Sequence, residues 1–94
     1  MSPIHPGEIL REELEVLEYS ANEFAKQLHV PTNRITSILN GQRSITAETA
    51  LRLSKFFGTT PEMWLNLQTA YDLKIELARS GKQIEKEIRY RNAA

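Results

Sequence analysis

The chain has no cysteine. A disulfide framework and a thiolate zinc site are therefore excluded. It has no long apolar run, so no membrane-spanning helix is expected. The start MSPIHPGEIL lacks a basic cluster followed by an apolar stretch, which argues against a signal peptide and for a cytoplasmic protein. Net charge is missing too: 12 Lys and Arg balance 12 Asp and Glu. A uniformly basic nucleic-acid binder is excluded on that ground. No nucleophile stands beside a fitting base, and there is no glycine-rich phosphate loop or cluster of metal ligands. The expectation is a non-enzyme with no cofactor and no metal. His5 and His29 lie far apart without a carboxylate at ligand spacing; His5 is read as capping or packing at the first helix, and His29 as filling a turn.

What is present is unevenly distributed. Residues 1–24 carry one base, Arg11, against Glu8, Glu12, Glu13, Glu15, Glu18 and Glu23. Residues 25–58 carry Lys26, Arg34, Arg43, Arg52 and Lys55 against Glu48 alone. The middle of the chain is thus locally basic, and the acidic first helix is expected to face away from any polyanion. An acidic run on an amphipathic helix is usually a solvated face; the other use is contact with a basic partner.

Ninety-four residues, 40% of them apolar, make one domain with a modest core, of a size often reinforced by dimerisation. The spacing predicts five helices and no clear strand. The first, 6–17, buries Ile9, Leu10, Leu14 and Leu17, and Tyr19 ends it. Ser20-Ala21-Asn22-Glu23 is a capping box for the second, 21–28. His29 and Val30 form a tight turn. Pro31 occupies the first position of a third helix that reaches Leu39, and Asn40-Gly41 stops it. Thr46 caps a fourth, 47–57, whose buried face is Ala50, Leu51, Leu53, Phe56 and Phe57. Thr60-Pro61 starts a fifth, expected to run to about Arg79 and stop at Gly81. The charged tail, 82–94, follows the core at 5–79. In the tail Ile84 and Ile88 suit a short helix, Ile88 and Tyr90 a strand; a frayed helix is expected.

The second and third helices with their short turn make a helix-turn-helix. A helix fits the major groove, where every base pair displays a distinct set of donors and acceptors. Short polar side chains near the N-terminus of such a helix read bases. Thr32, Asn33 and Ser37 are placed for this, and Arg34 can reach a guanine or a phosphate. Phosphate contacts are expected from Ser20, Asn22, Lys26, Asn40, Gln42, Arg43 and Ser44. With so few bases per protomer, tight binding calls for two copies on a two-fold site. The fifth helix is apolar on more than one side and must bury both. One side packs on the first four helices. The other, through Leu67, Tyr71, Leu73, Ile75 and Leu77, is expected to meet its counterpart in a homodimer.

HPGEIL at residues 5–10, SANEFAKQL at 20–28, ILNGQRSITAETALRLSKFFGTTPEMWLNLQ at 38–68 and AYDL at 70–73 resemble the HigA antitoxins. These are a branch of the phage-repressor-like (Xre, Cro/C1-type) helix-turn-helix proteins. The helix-turn-helix is shared by the broad group, whereas HPGEIL with TPEMWLNLQ is specific to the branch. The resemblance implies an all-α, five-helix, lambda-repressor-like fold with an extended C-terminal helix. It implies a homodimer that binds double-stranded DNA at the promoter of its own operon and neutralises a small, mRNA-cleaving HigB-type toxin. It maps base reading onto Thr32, Asn33 and Ser37, and phosphate binding onto Ser20, Asn40, Gln42, Arg43 and Ser44. His29 departs from the glycine usual in the turn. A stand-alone regulator without a toxin, or an interaction module that no longer meets DNA, are the rival expectations.

Overall fold

The structure, a computed structural model, describes residues 2–91. Residues 92–94, the end of the expected tail, lie outside the described residues. Among the described residues there are five helices and no strand: α1 (Pro6–Leu17), α2 (Ala21–Leu28), α3 (Thr32–Leu39), α4 (Ala47–Phe57) and α5 (Pro61–Glu87).

The chain punctuates itself with local chemistry. At α1, the His5 Nδ1 accepts from the Gly7 N–H at 2.9 Å while Glu8 accepts from the His5 N–H at 3.0 Å, a capping box with histidine in place of serine. At α2, the expected box forms between Ser20 and Glu23. Thr46 caps α4 and Thr60 caps α5 through their hydroxyls. Pro31 sits one position earlier than expected, as the N-cap of α3 with extended ψ 145°, because a residue there needs no N–H and no helical ψ. Glu18, not Tyr19, ends α1, in the left-handed region at φ 58°.

α1 lies against α3 and α5, α2 against α3 and α4, and α4 against α5. Leu10, Leu14, Phe24, Ala25, Leu28, Ile35, Ile38, Ile45, Ala50, Leu53 and Trp64 meet in one core. Phe24, Phe56, Phe57 and Trp64 run through it as a chain of rings 5–6 Å apart, and the Trp64 indole N–H donates to the Thr59 hydroxyl at 3.1 Å. α1 can approach α3 closely only because residue 7 is glycine: a Cβ there would stand 1.9 Å from the Ile38 carbonyl oxygen.

Three expectations need correction. Leu17 and Leu51 belong to the apolar rhythm of their helices, yet no neighbour covers them and both are exposed. α5 does not stop at Gly81 but passes through it to Glu87, so the boundary between core and tail is no break in the chain. Ser80 donates to Glu76 at 2.6 Å and Gln83 to Glu87 at 3.0 Å, side-chain pairs that bracket the glycine and offset its low propensity. At 27 residues α5 is about 40 Å long, and the molecule measures 54 × 26 × 22 Å along its principal axes. The distal turns therefore project from the body. Among the described residues no helix is long and apolar enough to cross a membrane.

Candidate nucleic-acid interface

α3 shows the core Ile35 and Ile38, both fully buried, with Leu39 packed beside them, and turns its polar side chains outward. Asn33 is exposed; Thr32, Arg34, Thr36 and Ser37 are half-buried at its flanks. The Thr32 hydroxyl donates to the Asn22 Oδ1 at 2.8 Å. This tie joins the start of α3 to the first turn of α2. It brings a candidate base reader and a candidate phosphate ligand together, and leaves the Asn22 amide hydrogens free to donate.

The α2 start holds Ser20, Asn22 and, one turn on, Lys26, all exposed. The Ser20 oxygen accepts from the Glu23 N–H at 3.1 Å. Glu23 sits at the same helix start. The Ser20 backbone N–H, and then its hydroxyl, hold the Glu23 carboxyl below the usual carboxylate range. His29 takes the left-handed turn position at φ 57°, and its N–H returns to carbonyls of α2. Arg52 of α4 straps the same end, donating to the Leu28 carbonyl at 2.9 Å.

The loop after α3 carries Asn40, Gln42, Arg43 and Ser44, all exposed. Gly41 adopts φ 73°, and the N–H groups of Gln42 and Arg43 return to the Ser37 carbonyl at 2.8 and 3.2 Å. Ser37 thus links α3 and the loop through its backbone.

Arg34 is not free. Its guanidinium meets the Glu48 carboxylate at 2.5 Å, and Arg52 approaches the other oxygen at 3.6 Å. Arg34 first, then Arg52, keeps the Glu48 carboxyl below the usual range. Among the base-reading candidates, then, Thr32, Asn33 and Ser37 gather along α3 while Arg34 is drawn toward α4.

Two residues that hold this surface in place, Arg11 and Gln68, were not singled out for it from the sequence. Arg11 donates to the Leu39 carbonyl at 3.2 Å and to the Asn40 Oδ1 at 3.1 Å, so α1 pins the far end of α3. Its signal was faint: it is the one base in an acidic helix. Gln68 of α5, 5% exposed, accepts from the Ile45 N–H at 2.8 Å. His5, also buried, stands edge-on to Tyr71 with ring centroids 4.9 Å apart and beside Gly41. Burial lowers the His5 pKa, against the opposing pull of Asp72, Glu8 and the Arg43 backbone.

The five residues expected at the dimer interface do not share one environment. Leu67 packs on the core, Tyr71 stands against His5, and Ile75 is half-buried. Leu73 and Leu77 are 65% and 72% exposed and continue outward to Ile84 and Ile88. Among the described residues no group of acids and histidines is arranged to hold a metal.

A helix-turn-helix family model matches residues 10–64. The chain is 56% identical over 84 residues to virulence-associated protein I of Dichelobacter nodosus, covering 88% of this chain and 76% of that protein. It superposes with TM-score 0.94 and 68% identity on an addiction module antidote protein of the HigA family from Coxiella burnetii, over 97% of this chain and 100% of that one. It is 44% identical to a Pseudomonas aeruginosa antitoxin HigA solved with the higBA promoter, with TM-score 0.90 over 93% of this chain and 96% of that one.

Proposed function

This chain belongs to the HigA antitoxin family of helix-turn-helix proteins, and on that premise we propose that it is a dimeric, DNA-binding antitoxin that represses its own operon and neutralises a HigB-type toxin in the cytoplasm. The observation that carries the DNA-binding part is the tie between Thr32 and Asn22, which aligns the polar start of α3 with that of α2. Asn33 stands exposed beside it and can pair with an adenine in the major groove. Thr32 and Ser37 flank it as hydroxyl partners for bases. Ser20, Asn22 and Lys26 on one side, and Asn40, Gln42, Arg43 and Ser44 on the other, supply the phosphate contacts that fix register. Arg34 joins them only when it leaves Glu48.

Two copies pair through the outer face of α5, with Leu73 and Leu77 at the seam and Leu67, Tyr71 and Ile75 bracing the helix against the body. Two reading helices related by a two-fold axis then address two half-sites.

The test is binding to the DNA upstream of its own gene at two salt concentrations, with co-purification of the neighbouring gene product. Specific binding that weakens steeply with salt supports the repressor. A stable complex with a short, basic neighbour supports the antitoxin. DNA binding without such a neighbour would leave a stand-alone regulator, and no binding at low salt would leave an interaction module.

A further inference from the structure

The segment TPEMWLNLQ ends on a residue that the DNA-binding reading does not use. We propose that Gln68 is a positioning residue for DNA: its buried amide holds residues 41–45 in the shape that presents Gln42, Arg43 and Ser44 to phosphates. The inference rests on the DNA-binding reading above.

The loop is tethered at two ends. On the α3 side the Ser37 carbonyl accepts from the Gln42 and Arg43 N–H groups. On the other side, 23 residues away in sequence, the Gln68 Oε1 accepts from the Ile45 N–H at 2.8 Å, and the Ile45 side chain is buried in the core. The orientation of the Gln68 amide is fixed by a third group. Its Nε2 donates to the Asp72 Oδ1 at 2.9 Å. A carboxylate can only accept, so the nitrogen must face Asp72 and the oxygen must face Ile45. Without that oxygen the Ile45 N–H is a buried donor with no partner, and the loop must move to hydrate it. The exposed residues 42–44 lie between the two tethers and would move with it. α5 thereby sets the geometry of a surface to which it contributes no side chain.

The experiment measures fluorescence anisotropy of the upstream duplex and of an unrelated duplex across a salt series, with thermal melting of each variant. Gln68→Met removes donor and acceptor at similar volume. Gln68→Glu keeps the acceptor but sets a carboxylate against Asp72. Gln68→Glu with Asp72→Asn restores both bonds, with the new amide donating to the new carboxylate. Both single variants are expected to weaken the two duplexes alike, by about tenfold, and to lower the salt slope by about 1. Exchange of the Ile45 amide hydrogen should be at least about tenfold faster in Gln68→Met. The double variant should recover affinity to within about twofold of the parent and regain the salt slope. Lower melting temperatures with unchanged affinity and salt slope would overturn the proposal, as would a folded Gln68→Glu that the second substitution fails to rescue. If Gln68→Met does not fold, the single and double Gln68→Glu variants decide. Failure of the parent protein to bind any duplex overturns the DNA-binding reading itself, whereas binding by the parent with an indifferent Gln68 overturns only this inference.

Discussion

Among single residues, Asn33 and Arg43 should separate specificity from affinity. Asn33→Ala is expected to cost about 1–3 kcal/mol at the cognate site and to relax preference at one base pair, measured by anisotropy against a panel of single-base variants. Arg43→Ala should weaken all duplexes about equally and reduce the salt slope by about 1. Gly7→Ala tests the α1–α3 contact, since its Cβ would fall 1.9 Å from the Ile38 carbonyl oxygen. A loss of about 1–3 kcal/mol or more is expected in urea denaturation. His5 gives the fold an acid limb. Its Nδ1 accepts from the Gly7 N–H, which only the neutral ring can do. Its pKa lies below the ordinary 6.5 because burial opposes the charge. An unfolded chain therefore takes up the proton first as pH falls, and the folded state resists until lower pH. Its contribution is complete above 6.5 and is lost as pH drops through the folded value. The lowered carboxylates Glu23 and Glu48 act below their ordinary 4.5 and so do not share this window. Urea midpoints at pH 7.5 and about 5.5 should differ for the parent chain and converge for His5→Asn, which keeps a cap acceptor without the titration.

The elements show what a sequence discloses and what it withholds. Ser20 with Glu23, Thr46, and Thr60 with Pro61 announce helix starts because each cap is local, closing over three residues. Thr32, Asn33 and Ser37 were legible as outward positions because Ile35 and Ile38 define the inward ones. Leu17 and Leu51 were misassigned because periodicity marks a stripe but not the neighbour that covers it. Arg11 with Asn40, Arg34 with Glu48, and Gln68 with Ile45 pair across 29, 14 and 23 residues, so no window of the sequence contains them. Gly81 misled for a different reason: glycine lowers helix stability by only about 1 kcal/mol, too little to end a helix with side-chain pairs on both sides. Gly81→Ala should therefore raise α-helical circular dichroism and the melting temperature, adding up to about 1 kcal/mol. The added Cβ would meet the Leu77 Cδ1 at 2.8 Å and Cγ at 3.4 Å, both on one exposed and adaptable side chain.

For the whole molecule, the decisive quantity is whether a second copy covers α5. Leu73→Asp with Leu77→Asp alters positions 65% and 72% exposed in the monomer, so the domain should still melt cooperatively. Light scattering is expected to show a shift toward monomer, and operator affinity should fall with it, because a single domain offers few phosphate contacts. The melting temperature of the parent chain should rise with protein concentration, and that of the variant should not. The projecting end of α5 also bears on how long the protein survives. A lone chain leaves Leu77, Ile84 and Ile88 open to water, and a helix end without tertiary cover frays readily into the extended form that proteases cut. In the proposed dimer a second copy would hide that substrate. Dilution would thus hasten turnover, and a dwindling stock would clear itself faster than an abundant one.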